Sequence, residues 1–269
     1  MALRSLAPSL ALVALLSLAG GPASALTVVL DFGAGDDHAG DAMTGYEAAP
    51  FGFVGLDQAG SQAAVLAAVR DHYLGFPTAG ADPFSPIPEG QELALDFVIG
   101  TRGIAPANGD LDWYVFALGE SAVGKTYLGE AYVQSIRGPD YPSAPAGSLV
   151  GAVYTDRIAT LAGLAADDAQ RINLIAGTAS HEIGHALGLL HPAGPAANPG
   201  ASAWSVMATG AAPSNMPNGE RVLAREFSYA EAATLVENIG LRAVPLPAPA
   251  LLMALGVAAL TLAARPRAA

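Results

Sequence analysis

The segment HEIGHALGLLH at residues 181–191 constrains this chain more than any other feature, because it holds three of the five histidines. His181 and His185 are four residues apart in a stretch with helical periodicity, so their imidazoles lie on one helix face, one turn apart. At that spacing both rings reach a single ion at roughly 2.0–2.1 Å, the usual zinc–nitrogen distance. The segment therefore predicts a metal-binding helix.

Two later residues of the segment, Gly188 and His191, complete the predicted site. Gly188 can adopt the left-handed conformation that ends a helix and turns the chain. The turn would bring His191 back as a third ligand and leave a fourth position open for water, as a catalytic zinc site requires. Glu182 would serve as general base and then as proton donor to the leaving amine. The alternative is a chance charged helix face, which Gly188 and His191 at their required spacing make less plausible.

The full pattern H-E-x-x-H-x-x-G-x-x-H resembles the signature of the metzincin zinc metallopeptidases. That family also has a methionine turn beneath the metal, and the segment 205–209 (Ser-Val-Met-Ala-Thr) is similar to it. Two residues after Met207 stands Thr209, where astacins and serralysins have a tyrosine, so the chain looks closer to the matrixin-like branch. The resemblance implies peptide hydrolysis by a zinc-activated water. In that reading Zn²⁺ is bound by His181, His185 and His191, with Glu182 catalytic and Met207 structural.

The order of predicted elements indicates an α+β domain over residues 26–242, with a mixed twisted sheet, an active-site helix and a C-terminal helix. The patterns predict strands at 26–32, 92–101, 112–118, 126–134 and 149–157, helices at 57–72, 167–188 and 228–239, and coil at 33–45, 77–90 and 192–218. Ser228 and Glu231 predict a capping box at the last helix.

The metzincin resemblance adds two expectations about substrate binding. It implies a zincin-like fold in which the strand around 127–133 is a sheet edge that pairs with an extended protein or peptide substrate. The coil 192–218 would shape the pocket for the side chain that follows the scissile bond.

Both ends of the chain predict export. Residues 1–25 carry Arg4, an apolar run and a small-residue site before Leu26, the layout of a secretory signal peptide, with a retained membrane anchor as the alternative. Residues 243–269 resemble a PEP-CTERM sorting signal of the VPLPA variant, with a short apolar span and terminal arginines, and a tail anchor is the alternative. The resemblance implies an exosortase-type sorting enzyme as partner, membrane contact only through the tail, and a periplasmic, cell-surface or extracellular location.

Charge and cysteine content narrow the choice of function. Between the two ends, nine basic residues stand against 24 acidic ones, a net charge near −15, so no nucleic-acid partner is expected. The chain has no cysteine, which excludes disulfides and a cysteine-switch propeptide. Two alternatives to an endopeptidase remain: a non-catalytic zinc-binding surface or matrix protein on the same fold, and a hydrolase of non-peptide amides.

Two acidic loops are candidates for Ca²⁺, which favours flexible loops of oxygen ligands. Neither loop matches an EF-hand or a nonapeptide calcium repeat, and the pattern favours a solvated acidic loop instead. The first loop contains Asp36, Asp37 and Asp41 around His38, and the second contains Asp110 and Asp112. His72, at the end of the first predicted helix, is expected at the surface.

Overall fold

The computed structural model describes residues 25–133, 136, 144–200 and 202–244. Within these residues the strands are β1 (Leu26–Asp31), β2 (Gly35–Asp36), β3 (Ala42–Gly45), β4 (Gln91–Leu93), β5 (Leu95–Ile99), β6 (Trp113–Ser121), β7 (Gly129–Ala131), β8 (Leu149–Tyr154) and β9 (Leu241–Ala243). The α-helices are α1 (Gln58–Leu74), α2 (Thr155–Ala159), α3 (Asp168–Ala186) and α4 (Tyr229–Ile239), and short 3₁₀ helices cover Ala49–Phe51, Ala162–Leu164 and Asn218–Val222. The predicted α+β class with a mixed sheet is confirmed.

A seven-stranded mixed sheet forms the frame of the domain. Strands β5, β1, β6 and β8 are parallel neighbours in that order, and β7 runs antiparallel to β8 at the edge. The β2–β3 hairpin pairs antiparallel with the end of β6, while β4 and β9 form a separate two-stranded sheet. All six residues of β1 are buried, as expected for a central strand that is covered on both faces.

Helices α1 and α3 pack against each other and against the sheet. Each begins at an aspartate whose carboxylate accepts a backbone N–H, Asp57 from Gly60 at 2.7 Å and Asp167 from Gln170 at 2.9 Å. From Leu174 to Leu187 every residue of the α3 stretch is buried except His181. The helix therefore runs through the core and exposes part of one side chain to the cleft described below.

The hairpin β2–β3 and strand β9 differ from the sequence-based expectation. Residues 33–45 were expected as coil, but their ends pair across a tight turn that is closed by Asp37. Strand β9 pairs with β4 through Ala243, so the folded body continues beyond residue 242. Neither segment has the alternating pattern that would have predicted a strand. Each is held in the extended conformation by pairing with a distant segment, β3 with β6 and β9 with β4.

Three predicted strands are shorter or divided in the structure. The strand expected at 92–101 is interrupted at Ala94, whose N–H donates to the Gly240 carbonyl and whose carbonyl accepts from Leu26. The strand expected at 149–157 ends at Tyr154, where α2 begins. The edge strand expected at 126–134 pairs over three residues, Gly129–Ala131.

The prediction that His72 lies at the surface is wrong. Helix α1 continues through Leu74, and His72 turns toward α3 and is 9% exposed. Its Nδ1 lies 2.8 Å from Ser180 Oγ, and the neighbouring Tyr73 hydroxyl donates to the Ser180 carbonyl at 2.8 Å. The capping box of Ser228 and Glu231 is present as predicted.

The export signals predicted at 1–25 and 243–269 lie almost entirely outside the described residues and stay predictions. Across residues 25–133, 136, 144–200 and 202–244, no helix combines the length and apolar character that a bilayer crossing needs.

Candidate metal centre

The three histidines of the predicted site meet at one point. The Nε2 atoms of His181 and His185 lie 3.1 Å apart, and each lies close to Nε2 of His191, at 3.0 and 2.9 Å respectively. Three nitrogen ligands of a tetrahedral zinc ion would be separated by about 3.3 Å, given Zn–N distances near 2.05 Å. The nitrogen triangle therefore has the size that a single zinc ion requires.

Hydrogen bonds to the opposite ring nitrogens determine which tautomers are present. His181 Nδ1 lies 3.0 Å from the Val206 carbonyl, and His185 Nδ1 lies 2.8 Å from the Leu189 carbonyl. Because a carbonyl only accepts, both Nδ1 atoms carry the proton and both Nε2 atoms present lone pairs. Lone pairs that face each other at 3.1 Å repel, and a cation between them removes the repulsion. This is the clearest indication that the residues fit a metal ion.

Electrostatics also favours the neutral imidazoles that metal binding needs. Burial lowers the pKa of His181 well below its ordinary value, and the nearby His185 lowers it further. Burial likewise lowers the pKa of His185 and, with a contribution from His185, that of His191. All three rings are therefore available as ligands at neutral pH.

The turn after α3 brings His191 to the other two histidines of the triad. Gly188 adopts φ +96°, the left-handed backbone that the sequence predicts there. The Leu189 N–H donates to the Gly184 carbonyl at 2.8 Å, which closes the helix end. On its other side, the Leu187 carbonyl accepts from the Asn238 side chain of α4 at 2.8 Å, so the last helix holds this turn.

Glu182 lies buried beside the triad, with 6% of its surface exposed. Burial, together with the negative charge of Glu130, raises the pKa of Glu182 to about 8. A cation at the triad would lower that pKa again by favouring the carboxylate. The side chain can therefore exist in both protonation states near neutral pH, as a general acid–base group must.

The predicted methionine turn is present beneath the helix. The Ala208 N–H donates to the Ser205 carbonyl at 3.1 Å, which forms a four-residue turn with Met207 at its third position. Met207 is fully buried, and a Cβ added to Gly184 would lie 2.5 Å from its sulfur. Met207 thus packs against α3 between the first two ligands, where only a glycine leaves it room.

Two contacts that the sequence did not predict hold the methionine turn in place, and one of them involves Arg225, which the sequence reasoning did not single out. Arg225 Nη1 donates to the carbonyls of Ser205 and Val206 at 3.2 and 3.4 Å. Ser205 Oγ donates to Glu231 Oε1 at 2.9 Å, which connects the turn to the capping box of α4. The sequence gives no local signal for either contact, because both join residues about 20 positions apart or more.

A cleft of about 660 Å³ contains the triad. Strand β7 forms one wall, α3 forms the floor, and the loop that follows the methionine turn forms the opposite wall. The edge strand predicted around 127–133 is thus brought to the triad. The residues that line the cleft include Leu128, Gly129 and Glu130 from the strand side, Thr178 from α3, and Thr209, Gly210 and Arg221 from the opposite wall.

The first acidic loop is not the solvated loop that its composition suggests. Asp37 is 3% exposed, and its carboxylate accepts from the Tyr154 hydroxyl at 2.7 Å. Lys125 Nζ lies 3.1 Å from Asp37, 2.6 Å from Asp41 and 3.2 Å from Glu130. Strand β8 brings Tyr154 beneath the loop, which explains the burial. Asp36 remains exposed.

The two Ca²⁺ candidates stay predictions. Ligand atoms of Asp37, His38 and Glu130 lie within 4.8 Å of one another, but the ammonium of Lys125 already contacts two of the three residues. In the second loop, the Asp110 carboxylate accepts from Asn108 at 2.8 Å and from the Thr27 hydroxyl.

No protein-family model matches the chain, and a comparison with curated proteins finds no significant match.

Proposed function

We propose that this chain is a zinc-dependent endopeptidase of the metzincin type, with Zn²⁺ held by His181, His185 and His191. The observation that carries the proposal is the nitrogen triangle, in which the unprotonated Nε2 atoms of His181 and His185 face each other at 3.1 Å, with His191 Nε2 at 2.9–3.0 Å from both, beside a buried glutamate. Three ligands leave one coordination position open, which distinguishes a catalytic zinc site from a structural one.

Bound zinc would polarise the scissile carbonyl and make water acidic enough to ionise near neutral pH. The protein's own contribution is proton transfer and positioning. Glu182 would take the proton of the attacking water and return it to the leaving nitrogen. Its burial in the wall of the cleft keeps that proton away from bulk solvent. The hydrogen bonds from the Nδ1 atoms to Val206 and Leu189 fix the orientation of two ligands.

Strand β7 supports a protein or peptide as substrate. Among the described residues it pairs with β8 alone, and its Gly129–Ala131 backbone lines the cleft next to the triad. An extended peptide can pair with the free edge as an added strand, which holds its backbone while the scissile bond lies at the metal. Tyr127 and Tyr132, beside the strand, are exposed and offer apolar surface to such a peptide.

The predicted signal peptide and sorting tail place this activity outside the cytoplasm in our proposal. The substrates would be extracellular or surface proteins, and an exosortase-type enzyme would process the tail during export. Contact with the membrane would involve the tail alone.

The proposal is tested with the full-length protein. Zinc content is measured by mass spectrometry, and cleavage of casein and gelatin is followed with and without a zinc chelator. We expect one zinc per chain, chelator-sensitive cleavage, and loss of cleavage with retained zinc in Glu182→Ala. Stoichiometric zinc without turnover on broad peptide libraries would favour the non-catalytic zinc-binding alternative. Absence of zinc binding at neutral pH would refute both.

A further inference from the structure

Two arginines line the cleft on the side opposite β7. Arg221 and Arg225 belong to the segment that follows the methionine turn, and both face the same cavity as the triad. Among the described residues, neither guanidinium lies within ion-pair distance of a carboxylate. Two cationic groups without acidic partners are unusual in a body whose net charge is near −15.

Arg225 is the inner of the two and has a structural role. It is 3% exposed, and its Nη1 donates to the methionine-turn carbonyls of Ser205 and Val206. Its Nη2 lies against α3, where a Cβ added to Gly177 would be 2.7 Å away. Burial and the positive charge of Arg221 together lower the pKa of Arg225 to about 10, against a smaller opposing effect of the Glu220 carboxylate.

Arg221 has few partners and lies closer to the open part of the cavity. Its Nε donates to Asn218 Oδ1 at 3.3 Å, and its Nη2 lies near Gly210, 3.0 Å from the position of a Cβ there. Burial lowers the pKa of this guanidinium too. Most of its donors are therefore unused within the described residues, although the group is partly removed from water.

The carboxylate next to Arg221 in the chain and the carboxylate across the cleft both have other hydrogen-bond partners. Glu220 accepts from Ser202 Oγ at 3.1 Å. Across the cleft, Glu130 accepts from the hydroxyls of Tyr127 and Tyr154 and pairs with Lys125. Among the described residues, no carboxylate thus forms an ion pair with Arg221, and a ligand in the cleft would supply one.

The distance from the triad suits a single residue of a bound peptide. Gly177, which contacts Arg225, lies four residues, about 6 Å, before His181 along α3, and Gly210, which contacts Arg221, comes three residues after Met207. A residue adjacent to the scissile bond can therefore extend a short side chain, or a chain terminus, toward this end of the cavity. Thr209 also lines the cavity and offers a hydroxyl, whereas the Thr178 hydroxyl already donates to the Leu174 carbonyl at 2.9 Å.

We propose that Arg221 recognises a carboxylate on the residue that follows the scissile bond, so that the enzyme prefers acidic over neutral residues at that position. The inference rests on the proposed peptidase function. The carboxylate has two possible sources, the side chain of an Asp or Glu at that position or the free C-terminus where that residue is the last of the substrate. A charged donor–carboxylate pair in a partly desolvated pocket changes affinity by roughly 10- to 100-fold.

The first test measures recognition without turnover. Zinc-loaded Glu182→Ala protein is titrated by calorimetry with C-terminally amidated peptides that differ only in Asp, Glu, Asn, Gln or Leu at one position. A second set carries Leu there and ends in either a free carboxylate or an amide. In whichever set shows a preference, we expect the peptide with the carboxylate to bind at least about 10-fold more tightly than its neutral counterpart. That preference is lost in Glu182→Ala/Arg221→Gln and retained in the matched control Glu182→Ala/Arg70→Gln, since Arg70 is exposed on α1, outside the cleft.

The second test measures cleavage of the same peptides by the wild-type chain and by Arg221→Gln. The expected result is a fall of about 10-fold or more in the ratio of kcat/KM for acidic over neutral peptides, with the melting temperature of the variant near that of the wild type. Equal binding and cleavage of acids and their amides would overturn the inference while leaving the peptidase function intact. If zinc binds and no peptide is cleaved, the proposed function fails, and the calorimetric preference still decides whether Arg221 binds a carboxylate. An equal fall in kcat/KM for acidic and neutral peptides in Arg221→Gln would also refute the inference, because it would indicate a structural role for Arg221.

Discussion

A methyl group on Gly129 would lie 2.8 Å from the Cγ of Glu182 and 2.9 Å from its Oε1. The edge strand proposed to pair with substrate thus lies directly against the proposed general base, and only a glycine at position 129 leaves room for the Glu182 side chain. The same methyl group would also lie 3.0 Å from the Ala152 carbonyl on β8, so the strand cannot simply move back. This contact couples the position of the bound peptide to the position of the carboxylate.

Gly129→Ala should therefore reduce peptide cleavage much more than it reduces stability. We expect kcat/KM to fall by about 10- to 100-fold, because a misplaced base loses much of its contribution to proton transfer. Zinc content should be unchanged, since no metal ligand is displaced. Gly163→Ala is the matched control, because a Cβ there meets no atom within 4 Å. Equal activity of the two variants would show that Glu182 and β7 are not coupled.

The active-site segment could be predicted from the sequence because its chemistry is local. Three ligands, a base and a turn glycine fall within 11 residues, so helix periodicity and one left-handed residue position them all. The same holds for the capping box at Ser228 and Glu231. Long-range contacts could not be predicted. The burial of His72 against Ser180 and the pairing of β9 with β4 depend on tertiary packing between segments far apart in the chain.

Glu231 illustrates how a locally predicted feature can have a second, distant partner. Its Oε2 accepts from the Ser228 N–H at 2.7 Å as a capping box requires, and its Oε1 accepts from Ser205 of the methionine turn. Glu231→Ala should lower the free energy of unfolding by about 1–3 kcal/mol, because it removes a cap and the acceptor to which the buried Ser205 hydroxyl donates. Urea denaturation measures the change, and Glu237→Ala on the same helix is the control. A loss no larger than that of the control would contradict the contact.

Gly188→Ala should weaken zinc binding as well as folding. An alanine at φ +96° is strained by about 1–2 kcal/mol, and the turn can relieve the strain only by moving His191 away from the other ligands. We expect a zinc dissociation constant at least about 10-fold higher, measured by competition with a chromophoric chelator. Gly219→Ala, at an open position without positive φ, should bind zinc like the wild type.

Metal removal should expose the repulsion within the triad. If zinc binds the folded chain as proposed, a free concentration of about 1,000 times the dissociation constant raises the free energy of unfolding by about 4 kcal/mol. Denaturation of the full-length protein in zinc and in chelator measures this difference. His191→Ala should abolish most of it, because two ligands bind zinc far less tightly than three. A zinc-independent midpoint in the wild-type protein would show that the triad does not bind the metal.

The burial of His72 should make the folded chain less stable at acidic pH. Burial, aided by the positive charge of Arg225, lowers the pKa of His72 to about 4, whereas in the unfolded chain it stays near 6.5. The unfolded state therefore takes up the proton first, and stability that is fully present above pH 6.5 declines as pH falls toward 4. The loss is about 1.4 kcal/mol per pH unit, or about 3 kcal/mol in all. His72→Gln has no such proton to bind and retains a group that can hydrogen-bond to Ser180. Chemical denaturation of both zinc-free proteins at pH 8 sets the baseline, and the difference between them should change in favour of the glutamine variant by about 3 kcal/mol between pH 6.5 and 4. A difference that stays constant over that range would mean that His72 is readily protonated in the folded chain.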